Sequence, residues 1–282
     1  MRLYSETEKR PVADLFQIQC NISSSRPTMI ANQPLHVLTL IALAGLYAGL
    51  QNALAGGGSF VTFPALLLAG LNPLAANLSS TIALFPSQIA NALGGRRLAG
   101  GVGNVPFRHL LIVSLIGGIA GALLLLSTTV SVFTNLVPWL VLFATVAFAW
   151  GSFVFKPHPD PSKAPLPNAV VLLIQGLISV YGGYFGGGIG FLMLAVLTIG
   201  GQQVRTANAT KNGLVMAINA SAVAIFAFSA MVNWAAVLAL GLGAMVGAMM
   251  GTWLIVRLPE KVLRAFIVLI GAVLTVWLFV RA

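Results

Sequence analysis

Two glycine cassettes constrain this chain more than any other feature: Ala55-Gly56-Gly57-Gly58-Ser59-Phe60 and Phe185-Gly186-Gly187-Gly188-Ile189-Gly190 each interrupt a long uncharged apolar stretch. Gly186 stands 130 positions after Gly56, so the chain reads as an internal duplication. Three adjacent glycines continue a helix poorly because their backbone freedom is greatest, so each cassette should end one helix and leave backbone donors and acceptors without intrahelical partners. Inside a bilayer such groups need neighbouring protein, cavity water or a ligand. A break repeated at matching places in two halves is the sequence mark of a binding site in a membrane carrier.

A membrane location follows from composition, since 58% of the 282 residues are hydrophobic and 7% charged. The acids are Glu6, Glu8, Asp14, Asp160 and Glu260, all in the N-terminal tail or in connections between apolar stretches. No carboxylate is therefore expected in the bilayer to relay protons or ligate ions. Lys and Arg outnumber acids fifteen to five, an excess read as membrane topology rather than as a nucleic-acid surface. The lone Cys20 lies in the tail, which removes disulfides and cysteine metal sites; no cofactor or metal is expected.

Residues 1–35 are polar and mixed in charge and read as a disordered tail, with Met29 a candidate natural start. Apolar stretches follow at about 36–55, 58–71, 74–94, 109–128, 132–154, 167–185, 189–200, 207–231, 234–256 and 264–280. The fold class is thus an all-α polytopic membrane protein with a first membrane repeat at 36–155, a cytoplasmic connection at 156–166 and a second repeat at 167–282. At roughly 20 residues per crossing this gives about eight full spans, or ten counting the short 58–71 and 189–200 pieces, which are re-entrant or tilted. Basic clusters at Arg96/Arg97/Arg108, Lys156/Lys163, Arg205 and Arg257/Lys261/Arg264 mark cytoplasmic connections. Five elements per half then make the two repeats inverted. This scheme puts the N-terminus outside, against the bases Arg2, Lys9, Arg10 and Arg26 of the tail; a start at Met29 removes that conflict.

After each cassette come a short apolar piece, a turn at Gly70 or at Gly200-Gly201, and a polar cluster on the next long helix. The clusters are Asn77-Leu78-Ser79-Ser80-Thr81 and Asn208-Ala209-Thr210-Lys211-Asn212. A shift of 131 superposes them, so one extra residue is expected in the second turn. Hydroxyls and amides donate hydrogen bonds without carrying charge, and a helix N-terminus nearby adds roughly half a positive charge, a combination suited to an oxyanion. The candidate substrate-binding residues are Gly56, Gly57, Gly58, Asn77, Ser79, Ser80, Thr81, Gly186, Gly187, Gly188, Asn208, Thr210, Lys211 and Asn212. Lys211 would cost about 2.5 to 3.5 kcal/mol near mid-bilayer, so it either binds an anion or snorkels toward the interface near Arg205. Gln51, Asn52, Gln88, Asn91, Gln175, Tyr181, Tyr184, Asn219 and Ser221 are further intramembrane polar residues, open to a role in a pathway or in interhelical hydrogen bonds. Gly45/Gly49, Gly117/Gly121 and Gly243/Gly247/Gly251 read as helix-packing faces or as the faces of a homodimer.

The segments AGGGSFVTFPALLLAGLNPLAANLSS (55–80) and YGGYFGGGIGFLMLAVLTIGGQQVRTANATKN (181–212) resemble the TauE/SafE, or sulfite exporter, family of membrane transporters, with the duplicated arrangement extending the likeness over about 36–281. The resemblance implies a multi-pass plasma (inner) membrane permease for small sulfur-containing anions such as sulfite or organosulfonates, with the glycine and Ser/Thr/Asn clusters as its site. Lys211 departs from internal symmetry, because its first-half counterpart is Ser80. An anion channel is the alternative. An intramembrane enzyme finds no support, since His36, His109 and His158 all lie at the ends of spans or in connections and no membrane carboxylate stands beside them.

Overall fold

A computed structural model describes residues 35–54, 57–150, 167–254 and 260–281. The expectations placed on the tail, on Met29, on Gly56 and on the 156–166 connection lie outside the described residues. Within them the chain is helical, in chain order α1 (Leu35–Leu54), α2 (Ser59–Leu68), α3 (Pro73–Gly95), α4 (Phe107–Ser127), α5 (Val130–Ala149), α6 (Asn168–Tyr184), α7 (Ile189–Ile199), α8 (Val204–Phe226), α9 (Trp234–Leu254) and α10 (Glu260–Arg281). The only β pairing among the described residues is an isolated bridge between Val102 and Val105 in the α3–α4 connection.

The two short helices end in the same way. Gly70 and Gly201 both take the left-handed conformation, at φ 92° and 91°. Leu71 N–H donates to the Leu66 carbonyl and Gln202 N–H to that of Leu197, both at 3.1 Å, while Gly70 and Gly201 donate to Leu67 and Thr198. Each is a glycine-terminated Schellman closure. Between the N-cap glycines and these terminators the second half holds one more residue, and α7 has 11 residues against 10 in α2. The extra residue therefore sits in the short helix and not in the turn, because the two turns are built identically.

Packing is organised by small residues. A Cβ on Gly45 or Gly49 of α1 would collide with the Leu240 or Ala244 carbonyl of α9, and one on Gly243 or Gly247 of α9 with the Ala42 or Leu46 carbonyl of α1. Gly121 and Gly183 hold α4 and α6 together in the same manner, against the Val180 and Gly118 carbonyls. Glycine permits the backbone approach that favours helix association in lipid. These faces are thus covered within the chain. The contacts also come in pairs: α1 lies on α9 as α6 lies on α4, α3 on α9 as α8 on α4, and α2 on α10 as α7 on α5. Replacing each helix by the one five places along converts each of these contacts into its partner.

Polar side chains are inside and large apolar ones outside. Gln51, Thr62, Asn77, Ser80, Gln175, Thr210 and Lys211 are buried, while Leu123, Trp139, Leu177, Leu238 and Met249 are exposed. That distribution suits an integral membrane protein, whose outer surface is solvated by hydrocarbon. By length and apolarity five helices are clear spans: Leu35–Asn52, Phe107–Ser127, Val130–Ala149, Val204–Phe226 and Trp234–Gly251. The expected eight are not reached on that measure, because α3 carries too many polar residues, α6 has only 17 residues, and the apolar run counted in α10 is Val268–Val280 alone.

Candidate functional site

Both cassettes break the helix. α1 ends at Leu54 and α2 begins at Ser59, and α6 ends at Tyr184 with α7 beginning at Ile189. Gly57, Gly186 and Gly188 have φ of 86°, 75° and 74°, a left-handed backbone that any side chain would strain. Each break is tied down by a side chain from the preceding helix, in opposite chemical senses. Gly58 N–H donates to Asn52 Oδ1 at 2.8 Å, whereas Tyr181 donates its hydroxyl proton to the Gly187 carbonyl at 2.7 Å.

A cavity of about 50 Å³ lies where the breaks meet, against roughly 10 to 15 Å³ for one water on the same measure. Gly57 and Ser59 bring the N-terminus of α2 to it, and Gly186, Gly188, Ile189 and Gly190 bring that of α7. One face of α3 supplies Thr81, Leu84, Gln88 and Asn91, and one face of α8 supplies Lys211, Asn212, Val215 and Asn219. Thr81, Leu84 and Gln88 are the 131-shift counterparts of Asn212, Val215 and Asn219, so the lining repeats itself. Asn219 Nδ2 donates to Gln88 Oε1 at 2.8 Å, a hydrogen bond between equivalent residues of the two halves. Among the described residues Lys211 is the only charged one in the lining, and it is 3% exposed. Asn52 spends its Oδ1 on Gly58 and leaves Nδ2 buried with no hydrogen-bond partner among the described residues.

A second cavity of about 10 Å³ adjoins the first and shares Ser59 and Thr81 with it. Asn77, Ser80 and Gly187 line it together with Phe60, Phe63, Val141, Phe185 and Leu274. An aromatic collar surrounds both breaks: Phe60 and Phe191 pack on Phe148, Phe63 on Phe185, and Tyr181 on Phe143.

Of the residues singled out from the sequence, Gly57, Thr81, Gly186, Gly188, Lys211 and Asn212 line the larger cavity and Asn77, Ser80, Thr81 and Gly187 the smaller. Gly58 is buried at the N-cap of α2, and Asn208 lines neither cavity. Ser79 and Thr210 point elsewhere. Asn233 N–H donates to Ser79 Oγ at 3.0 Å, and Gly100 N–H donates to Thr210 Oγ1 at 2.9 Å while Thr210 donates back to the Gly100 carbonyl at 3.2 Å. Each hydroxyl fastens a connection that belongs to the other half. The helix N-termini at the site also differ from those expected. α3 and α8 begin at Pro73 and Val204, before the polar clusters, so the positive ends aimed at the cavity are those of the short helices. Asn52, Gln88, Asn91 and Asn219 join the lining from the polar residues left open to a pathway or a packing role, and Ser59, Leu84, Ile189, Gly190 and Val215 join it without having been named as site candidates. Leu84, Gln88 and Asn91 were within reach of a helical count from Thr81, at three, seven and ten positions on.

The sequence profile of the family described as "Sulfite exporter TauE/SafE" matches residues 41–278. The chain belongs to the TauE/SafE family. Its relatives include a protein of Sinorhizobium sp. named "Probable membrane transporter protein ORF9", 30% identical over 246 residues that cover 86% of this chain and 92% of that one. A "Probable membrane transporter protein" of Haemophilus influenzae is 26% identical, covering 85% and 93%. The "Probable membrane transporter protein YfcA" of Escherichia coli strain K12 is 27% identical, covering 85% and 88%. No solved structure matches the chain. This TauE/SafE protein is a membrane transporter and not an enzyme.

Proposed function

We propose that this TauE/SafE protein is a secondary transporter of the inner membrane that carries a small anion, a sulfur-containing oxyanion such as sulfite or an organosulfonate, by alternating access between two inverted repeats. One observation carries the anion reading: the N-termini of α2 and α7 and the side chain of Lys211 converge on one cavity that, among the described residues, no carboxylate lines. Two helix ends bring roughly half a positive charge each, and the ammonium adds a full one. Asn212 and Asn52 Nδ2, the latter without a hydrogen-bond partner among the described residues, supply neutral donors around them. Charge-assisted hydrogen bonds from these groups are stronger than neutral ones.

The mechanism follows from the paired contacts. In the inverted-repeat reading the α3–α8 crossing lies on a pseudo-twofold axis in the membrane plane, with the anion held beside it. Rocking one repeat against the other would expose the cavity to each side in turn. The cargo class rests on the family description, whose printed words name sulfite. The test is uptake into proteoliposomes of sulfite, organosulfonates and short carboxylates, with counterflow measured on whichever substrate moves. Saturable flux that is trans-stimulated by internal substrate and lost in Lys211→Ala is expected. Flux that neither saturates nor shows counterflow identifies a channel, and undiminished flux in Lys211→Ala removes the site assignment.

A further inference from the structure

The smaller cavity has a different chemistry from its neighbour. Its polar wall is rich in oxygen atoms, several of whose protons are already spent. Thr62 Oγ1 lies 3.4 Å from the Gly58 carbonyl and 2.5 Å from Ser80 Oγ, in a hydrogen bond that either hydroxyl can donate; when Thr62 turns its proton to Gly58, Ser80 is the donor. Thr81 donates to the Asn77 carbonyl at 2.9 Å. Asn77 Nδ2 donates to the Tyr184 carbonyl at 3.0 Å, which turns Oδ1 away from that carbonyl. The Gly187 carbonyl accepts from Tyr181 and keeps a second lone pair. Ser80, Thr81, Gly187 and Asn77 Oδ1 thus offer lone pairs to a guest, while Asn77 Nδ2 keeps one proton. The space is about 10 Å³, room for one water-sized body.

We propose that this cavity, walled by Asn77, Ser80, Thr81 and Gly187 beside the anion site, binds one small monovalent cation, sodium being the fitting candidate. Neutral oxygens with no carboxylate suit a monovalent ion, whereas calcium and magnesium sites draw on carboxylates. Among the described residues no cluster of His, Cys, Asp or Glu is placed to hold a metal. The C-terminus of α6, at Tyr184 and Phe185, turns its negative end toward this region. Apolar walls from Phe60, Phe63, Val141, Phe185 and Leu274 strengthen ion–dipole attraction by excluding water. The positive end of α2 opposes the cation through Ser59, and an anion in the adjoining cavity offsets it, so the two guests should bind cooperatively.

Internal symmetry gives independent support. Under the 131 shift Asn77, Ser80 and Thr81 correspond to Asn208, Lys211 and Asn212, so the second-half counterpart of the cation site already carries a fixed ammonium. One half keeps its cation covalently, and the other takes one from solution. The coupling of cation to anion rests on the transport reading above, but cation binding by itself does not.

The experiment is a sodium titration of the purified full-length chain, with thermal stability and 22Na⁺ binding read in the absence of any anion, against choline at equal ionic strength. Saturable stabilisation by sodium and not by choline is expected, weakened about tenfold or more in affinity in Asn77→Ala and Ser80→Ala. Ser80→Thr, which keeps the oxygen, should restore it. Ser80→Lys should give a folded protein indifferent to sodium, as the symmetric half is. An absent sodium effect, or one that survives in monodisperse Ser80→Ala, overturns the site, in which case the space holds water. Sulfite binding that persists without sodium would then leave the anion reading standing, while sodium binding without any anion binding would remove that reading and leave this one.

Discussion

The two glycine breaks are built to one plan and finished with different chemistry. Both follow a helix that ends four or five residues before the next begins, both use left-handed glycines, and both aim a short helix at one cavity. At the first break Asn52 absorbs a backbone donor, Gly58 N–H; at the second Tyr181 satisfies a backbone acceptor, the Gly187 carbonyl. One half places Ser80 where the other places Lys211. In the repeat reading the scaffold matches across the halves while the cavity lining differs, with the Lys211 ammonium on one side only. Unequal halves let the site distinguish charge from polarity, which two identical halves could not.

Removing the charge is the sharpest way to break this comparison. Lys211→Ala should lower anion affinity by about a hundredfold, the loss of a charge-assisted interaction of roughly 2 to 3 kcal/mol, measured by substrate-induced stabilisation of the purified protein. The same change in Ser80→Ala should leave anion binding in sodium-free buffer within a few-fold of the parent. Equal effects at the two positions would erase the asymmetry.

The backbone can be tested next. Gly188→Ala forces a left-handed conformation on a residue bearing a Cβ, at a cost of about 1 to 2 kcal/mol, and the new atom would lie 3.3 Å from the Ala144 carbonyl. Gly57→Ala meets the Phe148 ring at 3.2 Å with a comparable φ. Both should lower the melting temperature, and similar losses would show that the breaks are mechanically equivalent.

Ser79→Ala and Thr210→Ala come third, and they separate scaffold from site. Each should cost about 1 kcal/mol of stability, with Thr210 the costlier because it both accepts from and donates to Gly100, while Ser79 only accepts from Asn233. Anion affinity should persist in both, and its abolition in either would place that hydroxyl back in the site. The smallest effect is expected for Asn219→Ala, which removes the cross-half hydrogen bond to Gln88 at about 0.6 kcal/mol, detectable as a small drop in melting temperature.

Much of this was legible without coordinates. The triple glycines announced the breaks because each glycine costs a helix about 1 kcal/mol relative to alanine, and three in a row sum that cost at one point. The position of every element along the chain followed from the spacing of polar interruptions. The cluster residues were less legible, since a hydroxyl on a membrane helix has two uses of equal cost. Thr81 and Ser79 are neighbours in sequence, yet they project about 200° apart on the helix; one meets the cavities and the other meets Asn233. Lys211 was open to snorkelling until its burial placed it inside.

Sequence alone determined that this chain is a helical membrane protein interrupted twice, because composition and glycine runs act locally and need no partner to be read. Only the tertiary structure decided which polar groups share a cavity, which helix ends face it, and that the extra residue of the second half lies in α7. Those outcomes depend on how helices distant in sequence cross. A helix presents its faces every 3.6 residues, but which face meets α3 or α8 is fixed by packing against the other half.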